Sequence, residues 1–593
     1  MPRLLLVLGL VLLRGIHMRI RASVTAAVSL AMLAASGVAQ DPSNDPNGDA
    51  KQSASARTIE QWVFDYEHDR LAPSGLLRKE PGLWPRYCAT ARAGNLLTGR
   101  DPGNLTHLEA LQKILLFAEQ HPDGSIGEAI LGLASVGIDK SLADNTAIEL
   151  RDLGHVTLLN IDQRGIWFAI LRTAGGLLLK GEDGVVPTAP TTARRVAALR
   201  LLGFKDEPVF RIAIEAGLLD LDPRVRLVAV EGLQSQGRHR KDSLPLRVRC
   251  CGPERHPVVA AAILRAMQAV LEIHREYLSR EEVDTAVGVA LQQLGKSGWR
   301  ADMDLLSLLE AFPQKAAIPS LIDLLRSRSS ADDSLVTAIN KDASPLLRDR
   351  AFNCLRGMTG AIYTIDQHKQ WREFWLQEQG RIVVPDRVQL NHDLGGTRSA
   401  FFGIPVIGRQ IVFVIDLSGS MDSPHGASLT AQSQNQGQVS TRLSIAKDQL
   451  LLAVQSMDNA SRYQLLTFDS EAHFCSKQPV APSSASLRSL TELLARLKSG
   501  SGTNIYDGLS QALALPEARY GATPAALVDE VFLLSDGEPS CGALQNPDEI
   551  LRVVRTANAY LKVRINSVFI GTDRGSKFLQ QLASENGGVF VQR

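Results

Sequence analysis

From about Leu105 to Thr359, apolar residues recur at three- and four-residue spacing, and the runs break at Pro or Gly. This is the period of helices with one buried side. In the stretch Pro223 to Leu233, Val225, Val228, Val230 and Leu233 fall along one helical side, with Arg224, Arg226 and Glu231 on the other. At Ile411 the pattern changes. The run IVFVID is apolar without alternation, as in a strand of a parallel sheet covered on both faces, and Val531 to Asp536 (VFLLSD) repeats the design. Between them the chain predicts a helix with an apolar stripe at Leu443, Ala446, Leu450 and Val454, a strand Tyr463 to Phe468, an edge hairpin at Ala472 to Ser476, and helices Leu487 to Leu497 and Ile505 to Leu515. Helix Asp548 to Leu561, strand Ile565 to Ile570, helix Lys577 to Glu585 and strand Val589 to Val591 follow. The alternation predicts an α/β doubly wound domain over 410–593, behind a linker and apolar lead-in strand at 380–409.

The helical part carries its own punctuation. Pro223, Pro257 and Pro345 each stand just before an apolar helix, where proline costs no backbone hydrogen bond. Their recurrence suggests repeats, and residues 105–379 resemble degenerate HEAT-type α-solenoid repeats. Such an array either binds a second protein on its concave surface or supports the neighbouring domain. The segment Arg350 to Trp375 is similar to the closing unit of helical regions in bacterial proteins with a following von Willebrand factor A-type domain; Trp371 and Trp375, four residues apart, are expected to share one core. The basic stretch Arg238 to Arg255 lacks interleaved aromatics and reads as a solvated loop between helices.

At 593 residues the chain holds several domains. Its 64 Lys and Arg almost cancel 63 Asp and Glu, so no global field draws it to nucleic acid. The first 39 residues contain two short apolar runs split by Arg14 to Arg21; read from Met18 they have signal-peptide order, with an uncleaved anchor as the alternative and membrane contact only in that case. Export to the periplasm, cell envelope or exterior is the expectation. Residues 40–57 are too polar to fold and form a tether, and 58–104 is a helical segment anchored by Trp62, Phe64, Tyr66 and Trp84. Six cysteines do not make a disulfide framework, and idle thiols are expected.

The chemistry gathers at three strand ends or loops: Asp416-Leu-Ser418-Gly-Ser420 after the first strand, Ser501-Gly-Thr503-Asn504 before a helix, and Asp536 at the end of VFLLSD. In an open doubly wound sheet these loops converge where ligands bind. Asp416, Ser418, Ser420, Thr503 and Asp536 offer oxygen only, which suits Mg²⁺, Mn²⁺ or Ca²⁺ and disfavours Zn²⁺. Two carboxylates neutralise a divalent ion, and the hydroxyls leave it electrophilic toward an anionic oxygen.

The order D-x-S-x-S, T and D identifies residues 410–593 as similar to von Willebrand factor A-type domains with a metal-ion-dependent adhesion site. The resemblance implies that Ser418, Ser420 and Thr503 are direct hydroxyl ligands, that Asp416 and Asp536 bind directly or through water, and that the free coordination position takes a Glu or Asp of a partner protein. Two departures stand out. Asp422 to Thr441 is a Ser/Gln/Asn/Gly-rich insertion at the rim of the metal face, expected to be disordered. Arg593 follows the last strand without the C-terminal helix that integrin-type members shift, so control by that helix is not expected. An enzyme would need Ser418 as nucleophile with His425 or His473 as base, but there is no G-x-S-x-G elbow and the serine already has a use. A metal-dependent binding protein is therefore expected, with a scaffold bound through its helical repeats as the alternative.

Overall fold

The computed structural model describes residues 131–593 apart from single residues and short segments, the longest being 176–189, 327–343, 390–398 and 425–439. The signal or anchor segment, the tether, the 58–104 segment and most of the Ser/Gln-rich insertion lie outside the described residues.

The prolines do what their position predicts. Twelve helices are described before the sheet: α1 (Asn145–Asn160), α2 (Arg164–Ala174), α3 (Thr192–Gly203), α4 (Pro208–Gly217), α5 (Pro223–Gly237), α6 (Leu244–Cys251), α7 (Pro257–Ile273), α8 (Arg280–Leu291), α9 (Trp299–Ala311), α10 (Ile318–Leu324), α11 (Pro345–Thr359) and α12 (His368–Glu378). Pro223, Pro257 and Pro345 each open one of them. Ser344 caps α11 by accepting from the Leu346 amide, and Ser279 with Glu282 forms a reciprocal capping box on α8. Helix α3 packs on α5, α5 on α7, α7 on α9 and α9 on α11, while α4, α6, α8 and α10 lie against them in a second layer. The approach of α3 to α5 is backbone-close, because a Cβ on Gly203 would stand 2.8 Å from Gly232 Cα. Trp371 is fully buried, its indole N–H donating to Thr364 O at 3.0 Å, and Trp375 packs half-buried against the same core.

One expectation fails here. From Lys241 the basic stretch is a short 3₁₀ turn followed by α6, and Arg247 is buried, donating to Leu233 O at 3.0 Å. Charge composition concealed the apolar positions Leu244, Cys250 and Cys251 that draw this helix into the core.

The second region is a six-stranded sheet with helices on both faces. Its strands are β3 (Gln410–Asp416), β4 (Arg462–Phe468), β5 (Ala472–Phe474), β6 (Glu530–Ser535), β7 (Arg564–Phe569) and β8 (Phe590–Gln592), after a hairpin of β1 (Ala400–Phe401) and β2 (Ile404–Pro405). The order is β5-β4-β3-β6-β7-β8, parallel except for β5 at the edge. The helices are α13 (Arg442–Gln455), α14 (Ser484–Arg496), α15 (Ile505–Ala512), α16 (Pro547–Leu561) and α17 (Ser576–Glu585). Helices α13 and α14 cover one face, over Ile411, Phe413 and Ile415, while α15, α16 and α17 cover the other, over Val412, Val414, Val531 and Leu533. All four stripe residues of α13 are buried. The lead-in hairpin is more than a strand: its turn Phe402–Gly403 has φ of 51° and 82°, the geometry of a tight two-residue hairpin, and Phe401 plugs edge-on against Phe413 and Phe532.

After β3 the chain moves toward β4, and after β6 toward β7. The carboxyl ends of β3 and β6 therefore flank the point where the winding reverses, the place where sheets of this kind bind ligands.

Candidate metal centre

Asp416 closes β3 and is fully buried. One of its carboxylate oxygens, Oδ1, accepts the Ser418 amide at 2.7 Å, which folds the D-x-S turn back on itself; Oδ2 accepts the Ser535 hydroxyl at 2.5 Å. Burial pushes this carboxyl up to about 6, against the pull of the bonds from Ser535 and Ser418, and the nearby Asp536 charge adds to the rise.

Asp536, immediately after β6, reaches across to the same turn. Its Oδ1 accepts from Ser420 Oγ at 2.7 Å and from Ser418 Oγ at 3.5 Å, and the two serine hydroxyls are 3.0 Å apart. Its Oδ2 is held by Arg442 Nη1 at 2.6 Å. Thr503 arrives on the adjacent loop, anchored by Gly500 N donating to Leu417 O at 2.6 Å and by a two-way clasp with Ser540: Thr503 N to Oγ at 2.9 Å, Ser540 N to Thr503 O at 3.0 Å. Asn504 then caps α15, accepting from the Asp507 amide at 3.1 Å. Asp416, Ser418, Thr503 and Asp536 are buried and Ser420 is exposed, so the group opens to solvent on the Ser420 side.

The structure thus links Asp416, Ser418, Ser420 and Asp536 in one hydrogen-bonded group and sets the Thr503 loop beside it. The donor set fits a hard divalent cation. Every bond the carboxylates take within this set comes from a hydroxyl or from the turn's own amide, and a hydroxyl can turn its lone pairs to a cation. Sequence reasoning missed two neighbours. Ser535 was visible as the Ser before Asp536, but only the fold points it at Asp416. Arg442 lies beyond the long insertion and no spacing rule reaches it. His473 is exposed beside Glu471, 3.4 Å away, and is not among the partners of Ser418. Cys475 and Cys541, the thiols of this domain, are both free.

A doubly wound sheet with this loop at its switch point defines a von Willebrand factor type A domain, and that family's model matches residues 411–538. Over about 190 residues the chain is similar to inter-alpha-trypsin inhibitor heavy chains: 29% identical to the pig H4 chain across 188 residues, 31% of this chain and 18% of that one, and 26% identical to the mouse H3 chain across 189 residues, 32% and 19%. The chain thus spans under a fifth of the length of these relatives. Solved structures similar over part of the chain include an aerotolerance-related membrane protein of Bacteroides fragilis (16% identity, TM-score 0.23, 31% of this chain and 92% of that one) and proximal thread matrix protein 1 of the mussel byssus with a zinc-occupied MIDAS motif (20%, 0.22, 31% and 41%).

Proposed function

We propose that this chain is an exported binding protein that captures an acidic residue of a partner protein through a divalent cation, Mg²⁺ or else Mn²⁺ or Ca²⁺, held by Asp416, Ser418, Ser420, Thr503 and Asp536. The observation that carries the reading is the bond network itself: Asp536, just after β6, meets both serines of the β3 turn within 3.5 Å at the reversal of the winding. A bound cation supplies a Lewis-acidic position for an anionic oxygen. The residues do the rest: Ser535 and the Ser418 amide fix Asp416, the Ser540 clasp fixes the Thr503 loop, and the exposed Ser420 leaves an approach for a partner. The sequence likeness to the inter-alpha-trypsin inhibitor heavy chains over this region supports a binding rather than a catalytic role.

The helical region, read as degenerate HEAT-like repeats, serves as the mount for this face, and a second protein on its layers is the alternative route to partner binding. Affinity capture with the whole chain separates the two. With Mg²⁺ the partner is retained, EDTA releases it, and Thr503→Ala fails to retain it while unfolding at the wild-type midpoint. Capture that survives both treatments assigns binding to the helices.

A further inference from the structure

Arg442 is the first residue of α13, at the helix end where positive charge is unfavourable. Its place is set from both sides. The stem of the insertion closes beside it through a bridge between Pro424 and Thr441, and its own amide donates to Ser423 O at 3.1 Å. From there its guanidinium meets the fully buried carboxylate of Asp536 at 2.6 Å and is itself only 18% exposed. The two oxygens of Asp536 are divided: Oδ1 faces Ser418 and Ser420, and Oδ2 faces the arginine. Two further carboxylates near this rim accept from neutral donors. Asp422 accepts from Ser499, and the Asp469 carboxylate accepts the Glu471 amide at 3.2 Å.

We propose that Arg442 is a resident counter-cation of the metal centre, which weakens its hold on a divalent ion and makes that hold depend on an anionic ligand. The inference rests on the metal-binding reading above. Counted over Asp416, Asp536 and Arg442 alone, with both acids ionised, the charge is minus one, and a divalent ion makes these groups positive by one. An arriving carboxylate restores neutrality, and the linkage is reciprocal: each ligand tightens the other. Without the arginine, two carboxylates alone neutralise the ion, and the carboxylate is no longer needed for charge balance. The residue thus sets partner preference by charge, without contributing an oxygen to the ion.

The test is Mn²⁺ titration of the full-length chain by calorimetry, with and without acetate at matched ionic strength. In Arg442→Gln, Mn²⁺ binding is expected to tighten about ten-fold, the scale of removing one unit charge from a partly buried site. Acetate is expected to strengthen Mn²⁺ binding several-fold in the wild type and little in Arg442→Gln. Arg442→Lys keeps the charge and the weak binding. Equal or weaker binding in Arg442→Gln overturns the proposal and reduces Arg442 to a clamp on Asp536. Should Arg442→Gln not fold, the wild type alone decides, since Mn²⁺ affinity indifferent to acetate overturns it too. Wild-type binding that Thr503→Ala abolishes but Arg442→Gln leaves unchanged sinks only this inference; no wild-type binding sinks the metal centre with it.

Discussion

The two ends of the sheet treat buried charge differently. At the carboxyl ends of β3 and β6, the acids are bonded mostly by hydroxyls, from Ser535, Ser418 and Ser420. At the opposite end they are bonded by cations and backbone amides. Glu530, fully buried, accepts the amides of Ile407 and Gly408 at 2.8 and 2.7 Å and the Asn566 side chain at 2.8 Å, and Asp529 takes those of Arg409 and Gln410. Here too the helical region docks. Arg265 and Arg300 donate to the last carbonyls of α16, Ala559 O at 3.0 Å and Leu561 O at 2.7 Å, which meets the negative end of that helix with positive charge. Lys562, in a left-handed conformation at φ 54°, completes the cap by pairing with Asp304 at 2.6 Å, and Asp304 also holds Arg265 at 2.8 Å. Tyr520 and Tyr560 both donate to Glu231, at 2.8 and 2.7 Å. Most donors at this end are N–H groups, which cannot accept, whereas three of the donors at the other end are serine hydroxyls that can turn a lone pair to a cation. On the function proposed above, the difference separates a structural joint from a binding face.

The largest expected effect is on an acid held by one backbone amide. Asp302 in α9 is 4% exposed with the Gly295 amide at 3.1 Å as its bond, and burial pushes it up to about 7. Its folded value lies above the unfolded one, so the folded chain binds the extra proton between the two and loses stability as pH rises from about 4 to 7. Asp302→Asn should remove that loss, gaining up to about 4 kcal/mol at pH 8 and nothing near pH 3, in denaturant melts across pH. A gain that does not vary with pH would contradict the assignment. Next comes the joint. Glu231→Ala strands two buried tyrosine hydroxyls and should cost about 3 kcal/mol in the same melts. A change below about 0.5 kcal/mol would show that the tyrosines find water instead.

At the other end the effects are smaller but more specific. Saturating Mg²⁺, at a hundred times its dissociation constant, should stabilise the wild type by about 2.7 kcal/mol and Asp536→Asn by much less. Ser535→Ala removes the hydroxyl that holds Asp416 Oδ2 and should cost about 1 to 2 kcal/mol without metal, with weaker Mg²⁺ binding. A variant that loses stability yet binds Mg²⁺ as well as the wild type would place Ser535 in the fold alone.

Much of this contrast was legible in the sequence, but unevenly. Continuous apolar runs ending in Asp416 and Asp536 define buried parallel strands, and their alternation with helices fixes which strand ends face the same way, so the oxygen set can be read directly. Pro223, Pro257 and Pro345 mark real helix starts for the same local reason. What stayed hidden depends on long-range placement. Arg442 stands across an insertion from the β3 turn and meets Asp536 on another strand end, Glu231 meets tyrosines some 290 and 330 positions away, and Arg247 is buried within a stretch whose charge suggests solvent. Charged residues at a joint read as surface until the joint is seen.

Mg²⁺ titration of the full-length chain against Thr503→Ala tests the central claim most directly, because Thr503 lies on the loop beside the carboxylates and takes no part in the docking end. The account predicts one Mg²⁺ site in the wild type, its loss in Thr503→Ala, and the same unfolding midpoint for both without metal. Equal Mg²⁺ binding by the two proteins, or none by the wild type, would contradict it.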